Sequence, residues 1–443
     1  MEKEALLLLT LSISLIAGLL LSRLAKLVQL PAVTAYLVAG VLIGPFCLGQ
    51  LGFEGVGFAS MEWVENFSIL CDVALGFIAF SIGNEFRLAQ LKQIGKQATI
   101  IGILQAVITT VLVDIVLISL SFILPNNILP LPVAITLGAV AAATAPAATL
   151  MVVKQYKAKG PVTSVLLPVV ALDDAVGLVL FAISFGVARS LGSAESVSIL
   201  NIILEPIIEV VLSLLLGAIM GFLFNLMERY FHSRSKRMAV SVAFILITVA
   251  VSSLKFSVLG IHVGFSSLLT CMMLGTVFCN ICDFSEELME RVDRWCAPLL
   301  VLFFVISGAE LNLGVFSNWI IVLVGVVYII SRSAGKMFGA FASAKLSESE
   351  PNIVKYLGIT LLPQAGVALG MAKQAKDALE GGNLILNITL FAVLIYELVG
   401  PFLTKKALEA AGEIKPEGKT SARHEHIKKM SPEKQEKHLE TKS

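Results

Sequence analysis

The chain has 443 residues, of which 57% are hydrophobic and 15% charged, and a mean hydropathy of +0.88. This is the composition of an integral membrane protein with little soluble mass. A formal net charge of +1 gives a polyanion nothing to bind, which excludes a nucleic-acid partner; no nucleophile, base and oxyanion donors converge on an aqueous face, so neither an enzyme nor a cofactor is expected.

Apolar stretches of about 20 residues, the length that crosses a bilayer, predict about 13 helices. In chain order they fall near 5–25, 31–47, 64–83, 98–124, 131–153, 161–188, 198–228, 237–255, 258–280, 296–311, 317–342, 352–374 and 384–404. The first is full-length and closes on Arg23 and Lys26 without a small-residue cleavage site, so it is expected to remain as a span. Basic residues set the orientation: Arg23 and Lys26, then Arg87, Lys92 and Lys96, then Lys154, Lys157 and Lys159, then Arg229, Arg234, Lys236 and Arg237 all follow odd-numbered spans. By the positive-inside rule the N-terminus is outside and the C-terminus cytoplasmic, in a plasma (inner) membrane. Lys373 and Lys376 are the main exceptions. The six cysteines lie mostly in apolar runs and read as buried hydrophobes. Residues 411–443 are rich in Lys, Glu and His and lack aromatics, which predicts a disordered cytoplasmic tail with no room for a nucleotide-binding domain.

The sixth stretch carries the strongest functional signal. Asp173 and Asp174 stand side by side among Leu, Val, Ala, Ile and Phe, and each carboxylate in a spanning helix costs about 2.5–3.5 kcal/mol unless it meets water, a cation or a basic partner. Neighbouring residues point about 100° apart on a helix, so the pair needs two separate polar contacts.

A faint internal repeat runs through the chain. Ile82–Leu88 ends the third stretch and Ser307–Leu313 the tenth, with Gly, Glu and Leu in the same spacing. Seven stretches apart again, the fifth is interrupted at Thr144–Thr149 and the twelfth at Leu362–Gly366, each by proline with small or polar residues. An odd offset means that the two copies enter the membrane from opposite sides, the pattern of inverted-repeat transporters with paired broken helices around a midplane site. The expected organisation is a transmembrane unit over 1–410, with a first repeat near 5–190, a linker helix near 198–228 and a second repeat near 237–404.

Thr144–Thr149, Leu172–Ala175, Arg332–Lys336 and Leu362–Gly370, with Ala39–Pro45 near the start, together resemble the monovalent cation:proton antiporter-2 family over about the first 405 residues. The resemblance implies the sodium/proton antiporter fold: an all-α polytopic membrane protein with two crossing broken helices, divided into a dimerisation domain and a mobile core, and a homodimer. It further implies that Asp174 is the carboxylate that transiently holds a monovalent cation or a proton, and that Asp173 pairs with a basic group.

The residues themselves suit these roles. Desolvation penalises a bare carboxylate at the midplane, so a proton and a small cation compete for it. Thr144, Thr149 and the carbonyls freed at the breaks supply neutral oxygens, and the Gln364 amide could ligate the ion or orient Asp174. Arg332, in mid-helix at the family's basic position, is the expected partner of Asp173, ahead of Lys336 one turn on. Asp72, Asp114, Glu205, Glu209, Glu397 and His262 read mainly as packing or interfacial groups. The expected activity is exchange of Na+ or K+, or Li+, for H+ by elevator-like alternating access. The alternatives are a channel-like potassium efflux system, which usually adds a nucleotide-binding domain, and an organic-anion symporter, which has no strong need for two adjacent acids.

Overall fold

The computed structural model describes residues 3–414 apart from 28–31, 52–56, 85, 89–94, 125–127, 146–148, 150–151, 154–155, 193–198, 255, 259–260, 264 and 315–317. The side chains of Glu205 and His262 lie outside the description, as do Lys92, Lys154 and the tail from 415 onward.

The helices are α1 (Lys3–Leu27), α2 (Ala32–Ile43), α3 (Met61–Glu65), α4 (Ser68–Asn84), α5 (Lys96–Ile123), α6 (Leu131–Val140), α7 (Pro161–Gly192), α8 (Ile199–Arg229), α9 (Arg234–Ser252), α10 (Ser267–Ile281), α11 (Ser285–Ala309), α12 (Trp319–Leu346), α13 (Pro351–Thr360), α14 (Gly366–Ala378) and α15 (Gly382–Ala410). Among the described residues, 9 helices are long and apolar enough to span a bilayer, and α4, α6 and α10 are shorter apolar helices. The chain is thus a multi-pass membrane protein whose described residues are all-helical apart from one small antiparallel hairpin, β1 (Phe256–Val258) with β2 (Ile261–Val263).

Local chemistry explains where the elements stop. Ser60, Ser266 and Asn318 cap α3, α10 and α12 through side-chain oxygens, each meeting one of the backbone donors that a helix start leaves open. The predicted 258–280 helix begins only at Ser267, because Phe256–Val263 pairs as the hairpin. The predicted 131–153 helix ends at Val140; Pro146 disfavours helical backbone at Ala145 and would clash with the carbonyl four residues back. The predicted 352–374 helix divides into α13 and α14, with Pro363 inside the gap. Of the tail expected from 411, residues 411–414 are described: Gly412, at φ +76, reverses the chain, and Glu413 is 5% exposed.

By packing, the helices sort into two groups. One contains α1, α2, α4 and α8–α11, and the other α5–α7 and α12–α15; α8 against α7, α14 against α4 and α15 against α2 join them. Backbone meets backbone inside the first group. A Cβ on Gly308 would fall 2.1 Å from the Leu37 carbonyl, and one on Gly40 would fall 1.9 Å from that of Val305; Gly83 and Gly275 do the same between α4 and α10. Small residues allow this approach where lipid provides no hydrophobic drive for helix association. The repeated glycines Gly83 and Gly308 therefore both mark helix crossings.

Gly308→Ala forces a methyl into the α2–α11 contact and is expected to cost about 1–3 kcal/mol of stability. Thermal unfolding in detergent checks this against Gly95→Ala, where an added Cβ meets nothing within 4 Å.

Candidate functional site at two interrupted helices

A helix that stops inside the membrane leaves its last carbonyls without partners, and no water is there to supply them. Both breaks meet this need from outside their own helix. The buried end of α6 offers four successive carbonyls. The Val140 carbonyl accepts from Gln364 Nε2 at 3.0 Å, that of Ala141 from Arg332 Nε at 3.0 Å, that of Ala142 from Lys336 Nζ, and that of Ala143 from Arg332 Nη2 at 2.7 Å. The end of α13 is closed in the same way: Thr149 Oγ1 donates to Thr360 at 3.1 Å and Arg332 Nη1 donates to Leu362 at 2.7 Å, while Thr144 Oγ1, whose one hydrogen goes to Asp173, lies 3.3 Å from the Leu361 carbonyl. The breaks also bond each other directly, from Ala145 N to Pro363 O at 2.8 Å.

Arg332 is fully buried, and its guanidinium joins the two breaks; it lies 4.4 Å from the Tyr396 ring centroid. Tyr396 is held in turn by bonds to Ile329 O and Ser333 Oγ. The expectation that Arg332 pairs with Asp173 is therefore corrected. Its planar fork of donors is spent on carbonyls, a geometry that guanidinium suits and ammonium does not.

Lys336 takes the place given to Arg332. Its Nζ lies 2.7 Å from Asp173 Oδ2, and both side chains have 0% exposure. Asp173 also accepts from Thr144 Oγ1 and Gln105 Nε2, while Lys336 donates to Thr144 Oγ1 at 2.9 Å and to Gln105 Oε1 at 3.2 Å. Two charges withdrawn from water demand such close geometry and such extra donors and acceptors. Asp174, the next residue, is 3% exposed and acts electrostatically on the same lysine. Gln364 gives its amide nitrogen to Val140 and accepts nothing at Oε1 among the described residues, although it is buried.

The structure thus brings together Asp173, Asp174, Thr144, Lys336, Arg332 and Gln364, with Thr149 at the adjoining carbonyl. Gln105 and Tyr328, whose hydroxyl accepts from Gln364 at 3.2 Å, were missed by sequence reasoning; a glutamine alone in the apolar run of α5 was the available signal. A second buried ion cluster was missed as well. Glu310, the acid of the repeated motif, takes Lys373 at 3.1 Å and Lys376 at 3.4 Å, which accounts for the two lysines that broke the loop-charge pattern. A cavity of about 480 Å³, lined in part by Asp72, Asp377, Phe185 and the Arg189–Glu209 pair, opens where α7 and α14 end.

Comparison with known proteins gives one consistent picture. The sequence model of the transmembrane sodium/hydrogen exchanger family matches residues 11–410. The Na(+)/H(+) antiporter NhaS4 of Synechocystis is 26% identical over 369 residues, 81% of this chain and 87% of its own. A structure of the sodium proton antiporter MjNhaP1 of Methanocaldococcus jannaschii at pH 8 superposes with a TM-score of 0.67 at 20% identity, covering 90% of this chain and 97% of that one. An electron-microscopy map of the same antiporter gives 0.65 at 18% identity, over 92% and 98%. The fold of this chain is the fold of these antiporters.

Removing either member of the Asp173–Lys336 pair strands the other charge in the interior. Asp173→Asn and Lys336→Gln are each expected to cost about 3–5 kcal/mol, and the double variant less than their sum. Thermal unfolding of the four proteins checks this; coupling of Asp173→Asn with Arg332→Gln is expected to be smaller, and a larger value there would restore Arg332 as the partner.

Proposed function

The chain belongs to the sodium/hydrogen exchanger family, and from that premise we propose that it is a secondary active antiporter in which Asp174 holds a cation and a proton in turn. The exchange is of Na+ or K+, with Li+ as a further candidate, for H+. The observation that carries the reading is the buried Asp174 carboxylate beside an already neutralised Asp173–Lys336 pair, at the point where two interrupted helices meet.

The chemistry follows from the charges. Lys336 lies against Asp173, and Asp174, buried beside that pair, is assigned the cargo. A proton or a monovalent cation balances its carboxylate equally well in charge, and a hard cation takes oxygen ligands, for which the Thr144 hydroxyl and Gln364 Oε1 are the nearest candidates in chemical kind. Thr149 stands further back in this scheme, holding the α13 end. The acidic cavity beside Phe185, about 16 Å along α7 from Asp174 at 1.5 Å per residue, offers a wet approach from one face.

Alternating access is read as an elevator: the group with α5–α7 and α12–α15 moves as the mobile core against the group with α1, α2, α4 and α8–α11, which supplies a homodimer contact. The two helix breaks, related by an inverted repeat, would then travel together with Arg332 between them. An empty Asp174 keeps its charge and is held back by the cost of carrying it past apolar surface; loading by either ion releases it, and that rule couples the two fluxes. The N-terminus is placed outside and the C-terminus in the cytoplasm of the inner membrane.

Proteoliposomes with an imposed pH gradient, challenged with Na+, K+ and Li+ in turn, test the reading and rank the cations. Asp174→Asn is expected to abolish gradient collapse while the protein stays folded; collapse at the wild-type rate in that variant excludes Asp174 as the shared site. Apparent cation affinity is expected to weaken about tenfold for each pH unit of acidification below the titration of the site and to level off above it, for a one-proton exchange. Measuring the apparent KM across pH checks this: an affinity indifferent to pH would favour a channel-like path or separate sites.

A further inference from the structure

The start of α7 is capped by a residue 250 positions away in sequence. Glu413 Oε1 accepts from Val162 N at 2.6 Å, and its Oε2 accepts from Thr163 N at 2.9 Å and from Thr163 Oγ1 at 2.5 Å; the Glu413 carbonyl accepts from Lys159 N at 3.1 Å. A helix beginning has unpaired N–H groups and a partial positive charge, and a carboxylate meets both.

The geometry is built by sequence at both ends. At the end of α15, Gly412 takes the left-handed conformation at φ +76, Gly412 N bonds to Glu409 O and Glu413 N to Leu408 O. That pattern is a Schellman closure, which turns the chain back sharply and fixes the direction of the residue that follows. At the start of α7, Gly160 leaves the space: a Cβ there would lie 2.4 Å from Glu413 Cδ. Ile414 packs beside it against the cluster that holds Val162, Val165 and Leu408.

We propose that Glu413 is a positioning residue for the Asp173–Asp174 helix. It fastens α7, which carries the carboxylates, to α15, which carries the Tyr396 ring against Arg332, so that the two helices move as one body when the loaded site changes face. This rests on the antiporter reading above. Glu413 lies about 18 Å along α7 from Asp174 at 1.5 Å per residue, too far to touch cargo, so its loss acts on the rate of the cycle and leaves ion binding alone.

The test uses the full chain in proteoliposomes. Glu413→Ala is expected to lower the maximal exchange rate about fivefold, the effect of a lost helix cap expressed as a rate, with apparent KM for Na+ or K+ within about twofold of wild type, a shift too small to signal a lost ligand. Glu413→Asp is expected to recover most of the rate. Gly160→Ala, which displaces the carboxylate without removing it, is expected to reproduce the Glu413→Ala defect and guards against an Ala variant that fails to fold. Hydrogen exchange at Val162 and Thr163 is expected to quicken in both variants. Rates at or above wild type in Glu413→Ala and Gly160→Ala, or a KM that rises together with the loss of rate, overturn the proposal. A wild-type protein that exchanges no cation for protons defeats the antiporter reading instead, and the hydrogen-exchange result still reports whether the cap holds.

Discussion

Backbone carbonyls that end inside a hydrocarbon layer must find donors in the protein itself, and the rest of this structure is arranged around that requirement. Two helices stop near the middle of the molecule. Their freed oxygens draw in Arg332, Lys336, Gln364 and Thr149 from neighbouring segments. Each donor is fixed by its duty to a carbonyl, and together they define the space beside the two aspartates. The breaks cost helix hydrogen bonds and give in return a rigid polar pocket with preset dipoles, in a medium where nothing else could hold one.

The division of labour between the two basic residues follows from their shapes. Guanidinium presents several donors in a plane and can bridge three carbonyls from two chain segments at once; ammonium is a compact charge and neutralises one carboxylate closely. Exchanging their roles would leave carbonyls unmet at one break. The Glu310–Lys373–Lys376 cluster solves a similar problem elsewhere, joining α11 to α14 with one acid between two lysines.

Much of this was legible in the sequence. The membrane class, the helical segments, both interruptions and the acidic pair all stand out, because lipid imposes length and hydrophobicity rules that leave strong traces in composition. The Gly and Glu of the repeat were visible too, and both had structural causes: a backbone crossing at Gly308 and a lysine clamp at Glu310. Partnership was not legible. Arg332 and Lys336 lie one turn apart, and pattern alone cannot say which of two long side chains meets Asp173 when the competing partners are carbonyls, which every residue possesses. The role of Gln105 was hidden for a related reason, since its helix reads as an ordinary span. The ordered Ala411–Ile414 turn was missed because polar composition outweighed a single glycine that sets the chain reversal.

A protein that handles salt must keep its shape as salt changes, and the Arg332 contacts have a bearing on that. Exposed ion pairs such as Arg291–Glu287 weaken as ionic strength rises, because mobile ions gather round each charge and screen it; enclosed charges are screened far less. Arg332 has 0% exposure, and its partners are oriented dipoles that no dissolved ion can replace. The frame around the two breaks is therefore far less sensitive to ionic strength than the exposed pairs, so that a change of salt loosens the surface of this molecule before it reaches the breaks.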